Sequence, residues 1–294
     1  MQRREVVLTL GSLAIMPSLV AAKPAARGPL FWLAKRGNAR VFLLGISGAK
    51  DRSWFTPTIQ AAFEQSSTLW EEIAPPPSPE YINQLYDRYG FDSQRTFFDA
   101  LDSPVRERAE RYMVELSIDR KSIEHMRPWR AYYAFNSAFA ARPHAATAGE
   151  MDNPEFVLLG LASKSGKALR YEYPTFDALI QFLAGMSDVA QSQYMAWLLD
   201  YFDAEMQGRN AADYAWLTGG GDAGSLDRMR RYPELYRIMQ PERNRRWARQ
   251  IRTLLTTEGT SFVAVGLLHV LGPDGIPRQL HSMGVDVQES ADFS

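Results

Sequence analysis

Apolar and polar positions along this 294-residue chain alternate in blocks that predict strands at both ends and helices between them. Phe31 to Lys35 and Ala39 to Leu44 are strand-like runs, and Arg36-Gly37-Asn38 between them is a turn signal, so a β-hairpin is expected. Val41-Phe42-Leu43-Leu44 is continuously apolar, as in a strand covered on both faces, and runs into Gly45-Ile46-Ser47-Gly48. Thr56 before Pro57 caps a helix to Gln65, and Leu69 to Ile73 is a further strand carrying Glu71 and Glu72.

After Pro75-Pro76-Pro77 the cap-then-proline signature recurs and predicts helices. Ser78-Pro79 opens one that stops at Gly90. Ser103-Pro104 opens one carrying Val105, Ala109, Tyr112, Met113 and Leu116. Asn153-Pro154 opens one through Phe156, Leu159 and Ala162 to Gly166. Lys167 to Tyr173 reads as a strand with Glu172 between aromatic neighbours, and Phe176 to Asp203 as one or two helices. Gly219-Gly220-Gly221 reads as a loop and Pro241 to Leu255 as a helix. The chain closes with a buried strand from Ser261 to Val265, a turn at Gly266-Leu267-Leu268-His269, a helix from Pro273 to Met283 and a short strand from Val285 to Val287. VFLLGISG (41–48) and FVAVGLLH (262–269) echo one another: an apolar strand, then Gly-x-x and a fourth residue. Two such strands in one sheet place both loops at its carboxyl edge, where open α/β sheets bind ligands. The expected fold is α/β, a central mixed sheet flanked by helices with a large helical insertion between the N- and C-terminal halves.

Residues 1–22 have a different character. Arg3 and Arg4 precede a mostly apolar stretch from Val6 to Ala22, too short and interrupted to span a bilayer, ending in Val20-Ala21-Ala22. This is a secretory signal cleaved near Ala22, and the paired arginines resemble a twin-arginine signal. Residues 23–28 form a linker and 29–290 one domain, in the periplasm or secreted, with no membrane span in the mature chain. With 33 Lys+Arg against 34 Asp+Glu, net charge −1, the basic excess that nucleic-acid binding needs is missing. Cysteine is absent, which excludes disulfides, thiolate zinc sites and thiol nucleophiles. Four histidines remain: His125 before a helix start, His144 in a loop, His269 after the last buried strand and His281 on the last helix.

The order of segments resembles the TraB/GumN family, related to PrgY and to the animal Tiki proteases, over residues 29 to 288. The resemblance rests on Phe31-Trp32-Leu33 with Val41 to Gly45, Thr68-Leu69-Trp70-Glu71-Glu72-Ile73, Met126-Arg127-Pro128-Trp129 and Tyr171-Glu172-Tyr173. It continues through Tyr214 to Gly219, Glu242-Arg243-Asn244-Arg245-Arg246-Trp247 and the closing Phe262 to His269 with Gly272-Pro273-Asp274-Gly275. It implies two Gly-x-x-His motifs with conserved acids, which in the Tiki branch make a metal-dependent peptidase site. For this chain that means a hydrolase with Glu72, Glu172 and His269 as catalytic residues, and His269 and Glu72 as ligands of Mn, Co or Zn. Arg243, Asn244, Ser47 and Gly48 would bind substrate. The first motif departs from the pattern, because Gly48 stands where the resemblance calls for His. The alternative is a non-catalytic protein that binds a peptide or small ligand on the same scaffold, as PrgY-type members imply.

Each residue has a plainer reading. His269 could cap the next helix. Glu72 could serve only as a partner of Arg243, and Glu172 could be a surface carboxylate on a strand. Arg243 could belong to an exposed basic face with Arg245, Arg246 and Arg249. Ser47 lacks the Gly-x-Ser-x-Gly elbow of a nucleophile, and the loop around it lacks the Lys and spaced glycines of a phosphate cradle. Trp129, Trp197, Trp216 and Trp247 read as packing residues rather than a stacking platform.

Overall fold

The computed structural model describes residues 28–48, 51–142, 153–207, 216 and 223–289. Residues 1–22, expected to be a signal, the expected linker residues 23–27, His144, Gly219-Gly220-Gly221, expected as a loop, and all of Tyr214 to Gly219 except Trp216 lie outside the described residues.

Six strands form one mixed sheet: β1 Phe31–Arg36, β2 Ala39–Ile46, β3 Thr68–Ile73, β4 Ala168–Tyr173, β5 Thr260–Gly266 and β6 Asp286–Glu289, in the order β4-β3-β5-β2-β1-β6. The hairpin of β1 and β2 turns on Gly37 and Asn38, with Gly37 at φ 58°, a left-handed conformation that glycine adopts without a Cβ clash. β2, β5, β3 and β4 run parallel, and β5, the last of these four in the chain, fills the slot between β2 and β3. A parallel sheet of this kind needs cover on both faces, which explains the continuous apolar runs. Leu43, Leu44, Phe262, Val263, Ala264 and Val265 are each at most 1% exposed.

Twelve α-helices are described around the sheet. α1 (Pro57–Gln65) links β2 to β3. α2 (Pro79–Tyr89), α3 (Ser103–Glu115), α4 (Arg120–Ile123), α5 (Pro128–Ala140) and α6 (Pro154–Lys164) lie between β3 and β4. α7 (Phe176–Ala184), α8 (Asp188–Met206), α9 (Ala223–Arg230), α10 (Pro233–Met239) and α11 (Pro241–Leu254) lie between β4 and β5, and α12 (Ile276–Ser282) precedes β6. The helical insertion is therefore two insertions, split by β4. Its helices have cores of their own. Tyr112, Phe135, Phe139, Leu199 and Phe202 pack α3, α5 and α8 together, and Trp129, Ile180, Leu183, Tyr194 and Leu235 join α5, α7, α8 and α10. Among the described residues no helix is long and apolar enough to cross a membrane.

The caps follow the sequence at most starts: the hydroxyls of Thr56 and Ser78 accept the N–H groups of Ile59 and Tyr81. Three local expectations shift. Asp102 rather than Ser103 is the cap of α3, and it makes no side-chain cap bond. Phe156 on α6 is exposed, and Val157, Leu158 and Ala162 form the buried face. The last helix begins at Ile276 instead of Pro273, because Asn244 takes the Asp274 carbonyl and Tyr236 the Asp274 carboxylate, which holds that segment in a turn.

Candidate functional site

β3 and β4 lie side by side with Glu71 opposite Tyr171 and Ile73 opposite Tyr173, which makes Glu72 and Glu172 neighbours on one face of the sheet. Two adjacent carboxylates under a packed helix repel unless a cation joins them. Arg243, in the first turn of α11, supplies it. Its Nε donates to Glu172 Oε1 and Oε2 at 3.0 and 3.2 Å, and its Nη2 donates to Glu72 Oε2 at 2.5 Å and also to Glu172 Oε2. Trp247, one turn on and on the same helix face, donates its indole N–H to Glu172 Oε2 at 3.0 Å. Arg246 reaches Glu172 Oε1 at 3.3 Å from a half-exposed position. The basic run is thus divided: Arg245 and Arg249 are exposed, and Arg243 is buried.

The other Glu72 oxygen accepts the backbone N–H of Gly266 at 2.5 Å. A Cβ at Gly266 would stand 3.1 Å from that oxygen, so glycine lets the carboxylate approach the end of β5. Beyond Gly266 the 3-10 turn Leu267–Val270 carries His269, 4% exposed, over the same group. His269 Nε2 stands 3.6 Å from Glu72 Oε2. Its Nδ1 lies 2.6 Å from Asn244 Oδ1, and Asn244 Nδ2 donates to the Asp274 carbonyl at 2.8 Å. With its amide nitrogen so engaged, Asn244 offers an oxygen, which makes His269 Nδ1 the donor and turns Nε2 toward Glu72.

Electrostatics separate the two β3 acids. Burial works against ionising Glu72, but the His269 ring, the Arg243 guanidinium and the Gly266 N–H together hold it well below the usual carboxylate range. Burial also works against the charge of Arg243, and Glu72 and Glu172 outweigh it and raise its pKa. Glu71 points to the opposite face, 1% exposed, with no hydrogen-bond partner on either oxygen among the described residues. Burial, then the negative charges of Glu155 and Glu72, push it up to about 9.

A cleft of about 250 Å³ opens at the carboxyl ends of β2, β3 and β5, lined by Ser47, Glu71, Glu72, Asn153 and Glu155 with Ile46, Ile73 and Ala264. The expected residues Glu72, Glu172, Arg243, Asn244 and His269 come together. Ser47 lines the cleft. Gly48 sits exposed just past β2. His125 and His281 are exposed and outside this group. Glu71, Glu155 and Asn153 were not among the expected site residues. The one sequence signal for Glu71 is an acid on a strand whose same-face neighbours, Leu69 and Ile73, are apolar, and Glu155 reads as an ordinary first-turn acid.

The family model of the TraB/PrgY/gumN family matches residues 30–289. The chain belongs to that family. No curated protein and no solved structure matches it significantly. The metal that this family resemblance implies can be tested against the donors present. A catalytic zinc site uses three protein ligands and an open position. Here Glu72 and Glu172 are committed to Arg243, Gly266 and Trp247, His269 offers one ring nitrogen, and position 48 offers no side chain. Among the described residues no three His, Asp or Glu side chains converge as a metal site would require. This donor set does not fit a resident metal ion.

Proposed function

We propose that this chain is an exported member of the TraB/PrgY/gumN family that binds a small ligand or peptide at the cleft between the ends of β2, β3 and β5, without a metal centre. One observation carries the reading: the carboxylates expected to serve chemistry are bridged by Arg243, beside a single histidine. A guanidinium fork over two carboxylates holds Glu72 in the cleft wall, and the His269–Asn244–Asp274 chain fixes the turn that follows Gly266, another lining residue. Export is supported by the composition of residues 1–22.

A second reading keeps the hydrolase. Glu71, neutral up to about pH 9, and Glu72, ionised well below neutrality, line one cleft. Two acids whose environments drive their protonation apart are the usual pair for general acid and base work. Incubating the purified mature chain with fluorescein-labelled casein, with and without EDTA, separates the readings. The binding reading expects no hydrolysis. Hydrolysis insensitive to EDTA and lost in Glu72→Gln would move the conclusion to the second reading, and hydrolysis abolished by EDTA and by His269→Ala would overturn both.

A further inference from the structure

On the face of β3 away from Arg243, the structure leaves polar groups uncommitted. Both oxygens of Glu71 are buried and have no hydrogen-bond partner among the described residues. A buried carboxyl left in this state is destabilising unless something completes it, so its position on a cleft wall points to a ligand. Across the cleft lies Glu155 in the first turn of α6; its carboxylate makes no hydrogen bond or ion pair among the described residues. Its backbone N–H is held by the Asn153 side chain at 3.0 Å, which fixes the start of that helix. Ser47 adds a hydroxyl. Among the described residues no Lys, Arg or His lines the cleft, while Ile46, Ile73 and Ala264 give it an apolar wall. An acceptor-rich, acidic site with one apolar side suits a cation with several N–H donors on a hydrocarbon stem.

We propose that this cleft takes a primary ammonium group on a short aliphatic stem. The three N–H bonds are donated to Glu71, Glu155 and the Ser47 hydroxyl, and the stem lies against Ile46, Ile73 and Ala264. A metal ion is the poorer occupant, since no three His, Asp or Glu side chains group as its ligands among the described residues. The ammonium site rests on the proposal that this cleft receives a ligand, and the two fail distinguishably. EDTA-sensitive hydrolysis of casein would overturn the metal-free binding function and leave amine binding in the cleft standing, and absence of amine binding would do the reverse.

The test is isothermal titration of the mature chain with n-butylammonium chloride, with 1-butanol as the uncharged control of equal stem length. The expected result is saturable binding of butylammonium, none of 1-butanol, and binding weakened about tenfold or more in both Glu71→Gln and Glu155→Gln, because the bound ammonium displaces to solvent the proton Glu71 carries in the empty cleft, and both carboxylates then accept charge-assisted hydrogen bonds. Circular dichroism confirms that each variant is folded. If Glu71→Gln does not fold, Glu155→Gln carries the comparison. No binding by the wild type, equal binding of 1-butanol, or unchanged affinity in the folded variants overturns the proposal. So does stoichiometric Mn²⁺ binding that Glu155→Gln abolishes, which would assign the cleft to a metal.

Discussion

Glu72 and Glu172 are held side by side by strand register, and a single guanidinium makes that tolerable. Removing one partner of a buried charge network leaves the others uncompensated, at about 3–5 kcal/mol. Arg243→Met should therefore lower unfolding free energy by roughly that amount in urea titrations, and Arg243→Lys should recover only part of it, because an ammonium cannot fork across both carboxylates. An unchanged denaturation midpoint in Arg243→Met would contradict the role given to this residue. Glu71 gives a second prediction at this scale. Its folded pKa of about 9 lies above its ordinary 4.5, so the unfolded state releases its proton first and stability falls as pH rises between those values. Glu72 has the opposite sign, and its contribution is lost as pH falls through its depressed pKa. Glu71→Gln should remove the alkaline loss, so that its stability gains on wild type by up to about 1.4 kcal/mol per pH unit between pH 5 and 9. Parallel stability–pH curves for the two proteins would contradict this. Glu72, Arg243 and His269 were legible in the sequence because their segments carry the family pattern. The isolation of Glu71 was not, since it depends on Glu155 from a helix far along the chain.

At the scale of elements, the end of β2 and the turn after β5 are packed too closely for a side chain between them. A Cβ on buried Gly45 would lie 2.5 Å from Val270 and 3.3 Å from Leu267, and the Gly45 carbonyl accepts the Trp216 indole N–H at 2.6 Å. Gly45→Ala should cost about 1–3 kcal/mol by overpacking, read as a fall in thermal midpoint, and should displace the turn that carries His269. No change in midpoint would mean the turn yields freely. The echo between VFLLGISG and FVAVGLLH foretold two parallel strands ending at one edge, but β2 and β5 pair with Gly45 beside Val265 and Ile46 beside Gly266, so the two motifs are staggered by one residue. Helix starts marked by a cap and proline were readable because the signal is local. The late start of α12 and the division of the helical insertion by β4 were not, since both follow from contacts between distant segments: Asn244 and Tyr236 with Asp274, and β4 with β3.

Over the whole molecule, the order β4-β3-β5-β2-β1-β6 gathers the ends of three parallel strands from the two halves of the chain around one cleft. The scarcity of histidine and the absence of cysteine made a metal centre dependent on few donors. The fold spends two of those donors, Glu72 and Glu172, on Arg243 instead. The central claim is that this arrangement leaves no resident metal site among the described residues, and titration calorimetry of the purified chain from residue 23 onward with Zn²⁺ and Mn²⁺, repeated on Gly48→His and His269→Ala, tests it most directly. The account predicts no stoichiometric binding to the wild-type chain and none gained by Gly48→His, since Arg243 still holds both carboxylates. One equivalent of either ion bound by the wild type and lost in His269→Ala would contradict it.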